Sequence, residues 1–138
     1  MTIETQSLAN ELRQILSAVV RNVRVATGTI RTTQLETLDL IDTHQALSIS
    51  NLARLRGVKH QSMRLVINEL EHQGLVQRQP SLTDARAQLL VLSGSAQEML
   101  DDARALRTKY IDNQILEKLN KTEYEDLRKG LAALRKLL

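Results

Sequence analysis

The 138 residues predict a mainly α-helical chain interrupted once by a small β-hairpin. Three observations lead there. Apolar residues recur at three- and four-residue spacing over most of the length, the pattern of one-sided helices. The period shortens to that of strands only at Leu75-Val76-Gln77-Arg78-Gln79 and Leu89-Leu90-Val91-Leu92, and the polar loop between them holds the only proline, Pro80. Residues 49–70, ISNLARLRGVKHQSMRLVINEL, split at Gly57 into two short helical patterns joined by a tight turn. Two such helices followed directly by a hairpin make a winged helix-turn-helix.

Each element has its own signal. Leu8, Leu12, Ile15, Leu16, Val19, Val20 and Val23 mark a long amphipathic helix over residues 3–25, which Thr27-Gly28-Thr29 ends. Thr32 or Thr33 caps a second helix from Gln34 to about His44, with Leu35, Leu38, Leu40 and Ile41 inward. Ser48 or Ser50 caps the third, where Leu52, Ala53 and Leu55 are apolar and Ala53 is small enough for close helix approach. Gly57 stands where a helix ends in a left-handed conformation. The fourth helix carries Met63, Val66, Ile67 and Leu70 at offsets 0, 3, 4 and 7. After the hairpin, whose loop over residues 80–86 forms the wing, Ser93 caps a long helix through Ala96, Met99, Leu100, Ala103, Leu106, Tyr110 and Ile111, continuing past Ile115, Leu116 and Leu119. Asn120-Lys121-Thr122 breaks it, Thr122 to Glu125 fits a capping box, and Leu127, Leu131, Leu134 and Leu138 define a last helix.

The face of the fourth helix opposite its apolar stripe collects Gln61, Arg64, Leu65, Asn68 and His72. That face suits a DNA major groove. Arginine can fork onto guanine, asparagine or glutamine can pair with adenine through two bonds, and a leucine can touch a thymine methyl. A solvated face would be richer in Glu and Lys. Lys59, Arg54 and Arg56 are either phosphate contacts or ordinary surface charges, and Thr83 and Gln88 are candidates for the backbone. Charge is distributed in keeping with this. Residues 1–44 carry four basic side chains against five acidic, residues 45–93 six against three, and residues 94–138 nine against eight. The excess sits on the middle third, as a duplex binder requires.

Composition excludes several classes. No cysteine is present, which removes disulfides, thiolate zinc sites and cysteine redox chemistry. Tyr110 and Tyr124 are the only aromatic residues, too few to stack single-stranded bases. His44, His60 and His72 have no helical metal-ligand spacing and no accompanying carboxylates, so no metal is expected. Asp101-Asp102 are adjacent on a helix and point about 100° apart, a solvated pair rather than an acid–base pair. No nucleophile elbow or phosphate loop appears, so neither an enzyme nor a cofactor is expected. There is no apolar run long enough for a membrane span and no signal peptide, which predicts a cytoplasmic protein.

One compact domain in three parts is expected: an N-terminal dimerisation helix over residues 1–30, the winged helix-turn-helix over 31–93, and C-terminal dimerisation helices over 94–138. A lone winged helix has no evident use for long apolar-faced helices at both ends, which points to a homodimer. The competing reading is a winged-helix module for protein–protein contact, an adaptor or anti-regulator without specific DNA binding.

The pattern resembles the MarR (multiple antibiotic resistance regulator) family of winged-helix transcription factors. The residues that carry the resemblance are Leu52-Ala53, Gly57-Val58, Leu70, Gly74-Leu75-Val76, Arg78, and in the wing Asp84-Ala85-Arg86 followed by Leu90-Val91-Leu92-Ser93. Ala85 and Ala87 stand where a further basic residue is common, and Gly94-Ser95-Ala96 replaces the usual charged turn. The resemblance implies major-groove contacts from Lys59, His60, Gln61, Ser62, Arg64, Leu65 and Asn68, and wing contacts from Thr83, Asp84 and Arg86, with Asp84 orienting the Arg86 guanidinium. It further implies a repressor that binds a pseudo-palindrome of double-stranded DNA as a homodimer. Release would come from a small-molecule effector held between the dimer helices and the winged segment.

Overall fold

The computed structural model describes residues 2–29, 32–84 and 86–138. Six helices and one hairpin follow in the order α1 (Ile3–Thr27), α2 (Thr33–Thr43), α3 (Ile49–Arg56), α4 (His60–His72), β1 (Val76–Pro80), β2 (Gln88–Leu92), α5 (Gly94–Lys118) and α6 (Lys121–Arg135). The predicted winged helix is present. The expected boundary at residues 30 and 31, and Ala85 of the wing motif, lie outside the described residues.

Local chemistry sets the ends. Thr32 and Ser48 are the caps of α2 and α3, their hydroxyls accepting from the Leu35 and Asn51 N–H groups. Gly57 closes α3 at φ 65°, its N–H donating to the carbonyls of Ala53 and Arg54. Ser93 Oγ accepts from the Ala96 N–H at the start of α5. The last helix departs from expectation. Asn120, not Thr122, is its N-cap: Asn120 Oδ1 accepts from the Glu123 N–H at 2.9 Å and Glu123 Oε1 from the Asn120 N–H at 3.0 Å. Asparagine is the stronger cap, and Glu123 reciprocates from the third helical position. At the other end Leu138 falls outside α6.

Contacts divide the chain into two compact units, residues 30–104 and residues 1–29 with 105–138. The division falls inside α5, not at the 93/94 boundary expected from sequence. The reason is packing: Ala96 and Leu100, in the first turns of α5, are buried in the core of the first unit. That core joins Leu38, Ile41, Leu47, Leu52, Ala53, Met63, Ile67, Leu70, Val76 and Leu90. The buried members of α4 are Met63, Ile67 and Leu70, with Val66 packed beside them, as the offsets predict. Thr37 is the buried polar exception, satisfied by donating its hydroxyl to the Thr33 carbonyl at 2.7 Å.

β1 and β2 pair antiparallel with Val76 opposite Leu92 and Pro80 opposite Gln88. The Ser93 N–H donates to the Leu75 carbonyl and closes the base of the hairpin. The Leu90 N–H donates to the Leu47 carbonyl at 2.8 Å, tying the α2–α3 loop to β2. Arg104 on α5 grips α2 at two points, Asp42 Oδ2 at 2.5 Å and Asp39 Oδ1 at 2.6 Å. These bonds, that to Asp42 first, raise its already high pKa and keep it charged.

The second unit is built differently. Among its described residues Val23 alone is buried. Leu8, Ile15, Leu16, Val19 and Val20 of α1, Leu106 and Ile111 of α5, and Leu127 and Leu131 of α6 are all exposed. Both tyrosines belong to this unit, Tyr110 on α5 and Tyr124 on α6. No described helix is long and apolar enough to cross a membrane.

Candidate nucleic-acid interface

With one face of α4 buried, helical periodicity forces the other outward. Lys59, His60, Gln61, Ser62, Arg64, Leu65 and Asn68 are all exposed, Leu65 at 68%. An aliphatic side chain that open, on a helix with a full apolar stripe elsewhere, is not there for the core. No side chain caps the start of α4, where Lys59 occupies the N-cap. Among the described residues, the side chains of Lys59, His60, Gln61, Ser62 and Arg64 make no hydrogen bond or ion pair, whereas nearby cations are engaged. Arg56 pairs with Glu36 at 2.9 Å and donates to the Thr33 carbonyl, so it fastens α3 to α2. Of the charges left open by the sequence, Arg56 thus has an internal partner.

Asn68 differs from its neighbours on this face. Its Oδ1 accepts from Arg78 Nη2 at 2.8 Å, across from β1. Arg78 in turn holds Glu71 Oε1 through Nε and Nη2, each at 2.7 Å. Sequence reasoning had Arg78 only as part of a motif and overlooked Glu71. The signal available was two opposite charges seven residues apart across Gly74, whose φ of 74° folds β1 back onto α4.

The wing carries Thr83, Asp84 and Arg86 exposed at its tip. Its turn is held by short polar contacts. Ser81 Oγ accepts from the Thr83 and Asp84 N–H groups, and the Ala87 N–H donates to the Asp84 carbonyl. Asp84 Oδ1 accepts the backbone N–H of Arg86 at 3.0 Å. The contact seen for Asp84 is therefore with the turn itself, an Asx-type turn. The expectation was that it would hold the Arg86 guanidinium. Asp84 shapes the backbone from which Arg86 projects.

A helix with an exposed polar face, unpaired from Lys59 to Arg64 among the described residues, beside a hairpin braced on it defines the class: a winged helix-turn-helix protein. Residues 30–87 match the sequence model of the MarR family, the family that the motifs resemble. No curated protein matches the chain by sequence. Solved structures extend the likeness of fold to the whole chain. A Pseudomonas aeruginosa protein described as a transcriptional regulator is 24% identical, with a TM-score of 0.82 over 99% of this chain and 97% of that one. A transcriptional regulator from Thermotoga maritima is 23% identical, with a TM-score of 0.79 over 96% and 94%. A mutant of MepR from Staphylococcus aureus, bound to an oligodeoxyribonucleotide, is 18% identical, with a TM-score of 0.64 over 95% and 98%.

Proposed function

We propose that this protein is a transcriptional regulator that binds double-stranded DNA as a homodimer in the cytoplasm and does no catalysis. The observation that carries the reading is the outward face of α4, where Gln61, Arg64 and Leu65 stand exposed with no partner of their own. The MarR-family match of residues 30–87 and the DNA held by a protein of similar fold support it. On this reading α4 enters the major groove and Arg86 reaches the flanking minor groove or its phosphates.

The dimer is proposed on the second unit. A unit with one buried side chain among its described residues and a row of exposed Leu, Val and Ile has not finished burying its apolar surface. Two reading heads related by a two-fold axis then require a pseudo-palindrome with half-sites about 10–10.5 base pairs apart. Repression by promoter occupancy, with release by a small-molecule effector, completes the proposal by analogy with the family.

A mobility-shift assay with fragments of the host genome tests this directly. A shifted fragment at low salt is expected, and no shift with any fragment would reject DNA binding in favour of a protein-contact module. Two substitutions separate the roles of helix and wing. Arg64→Ala is expected to cost about 1–3 kcal/mol on the specific site and to relax preference at one base position, with less loss on random DNA. Arg86→Ala is expected to lower the salt slope of binding by about one unit. A salt titration in which Arg86→Ala matches the wild type would remove the wing from the interface.

A further inference from the structure

A guanidinium has only N–H groups to offer, so the atom of Asn68 that meets Arg78 Nη2 at 2.8 Å is the carbonyl oxygen. Arg78 is itself anchored. Its Nε and Nη2 close on Glu71 Oε1 at 2.7 Å each, which leaves the second Nη2 hydrogen for Asn68. The amide of Asn68 is therefore set from behind by a strand, through a charge fixed to the last turn of its own helix. Its Oδ1 turns toward β1, and Nδ2, on the other arm of the planar amide, points away from Arg78.

We propose that Arg78 fixes the base preference of Asn68, making it a hydrogen-bond donor that accepts any base with a major-groove acceptor and disfavours cytosine. This rests on α4 being the helix that reads DNA. Reading adenine alone requires both arms at once, Oδ1 on the N6 amino group and Nδ2 on N7. Arg78 takes one of the two lone pairs of Oδ1 and turns that arm toward β1, so it competes with the N6 amino group for it. The two remaining N–H groups find acceptors on adenine, guanine and thymine, whereas cytosine presents its N4 amino group. Gln61 and Arg64, unpartnered on the same face, keep their full repertoire. Arg78 is thus a positioning residue for specificity, set back from the groove in β1.

The test is selection of bound duplexes from a randomised pool with the full-length protein, comparing the base profiles of wild type, Asn68→Ala, Asn68→Asp and Arg78→Met. In the wild type one position should be depleted of cytosine and otherwise mixed. Asn68→Ala should erase that depletion and so identify the position. Asn68→Asp keeps an acceptor for Arg78 but has no N–H to give, and it should erase the depletion too. Arg78→Met frees the amide and should shift the same position to adenine by about tenfold over guanine. A wild-type profile of adenine alone at the position Asn68→Ala identifies would overturn the inference. So would an Asn68→Ala profile unchanged everywhere, or a folded Arg78→Met protein with the wild-type profile. Thermal melting establishes whether Arg78→Met folds, and if it does not, the three profiles from wild type and the Asn68 variants decide. A wild-type protein that selects no sequence at all would reject the DNA-reading function itself, and the inference with it.

Discussion

Ile67→Ala should destabilise residues 30–104 by about 2–5 kcal/mol, the range for truncating a buried aliphatic side chain. Ile67 is fully buried at the centre of the cluster that joins α4 to α2, α3 and β1, so little can collapse into the space left behind. Against a typical domain stability of roughly 5–15 kcal/mol, the loss takes a large fraction of the whole. Urea unfolding read by circular dichroism measures it. Leu65→Ala, two residues away on the exposed face, is the matched comparison. It should change stability by no more than about 0.5 kcal/mol, because that side chain touches no core. If α4 reads DNA as proposed, the substitution should nonetheless weaken operator binding, because a leucine there can touch a thymine methyl. Equal stability losses for the two variants would mean that α4 is not oriented as described.

On the proposed dimer, deleting residues 121–138 should leave monomers. The deletion removes α6, whose Leu127 and Leu131 are exposed in the single chain, together with Leu134 and Leu138. On the dimer reading these are intersubunit core. The protomer keeps its winged unit, because no residue of the buried cluster lies beyond Leu100. Sedimentation should therefore show a folded monomer, with operator affinity reduced toward that of one reading head. A truncated chain that sediments as a tight dimer would move the interface elsewhere.

Most of the fold was legible because its signals are local. Four apolar residues at offsets 0, 3, 4 and 7 are enough to orient α4. A glycine after α3 ends that helix, and a change of period announces the hairpin. What escaped was set by partners distant in sequence or by competition between neighbours. Thr122 and Asn120 both satisfy a capping pattern, and only relative cap strength favours Asn120. The division of α5 follows from Ala96 and Leu100 entering a core made by five other elements, which no window of sequence contains. The pairs Arg56 with Glu36 and Arg104 with Asp39 and Asp42 bridge helices, and Asn68 is met from a strand. A helical wheel places Asn68 on the reading face correctly but is blind to which arm of its amide remains available. In the wing, Asp84 turned out to brace backbone because its carboxylate lies two residues before an N–H it can reach within a tight turn.

The placement of Tyr110 and Tyr124 has an optical consequence. With no tryptophan in the chain, all ultraviolet fluorescence comes from two phenol rings, and both lie outside residues 30–104. The winged unit is dark. Emission from the unaltered protein reports on α5 and α6 alone, so a tryptophan placed in the wing would give a second colour, and the two halves of the molecule could be watched melting separately in one cuvette.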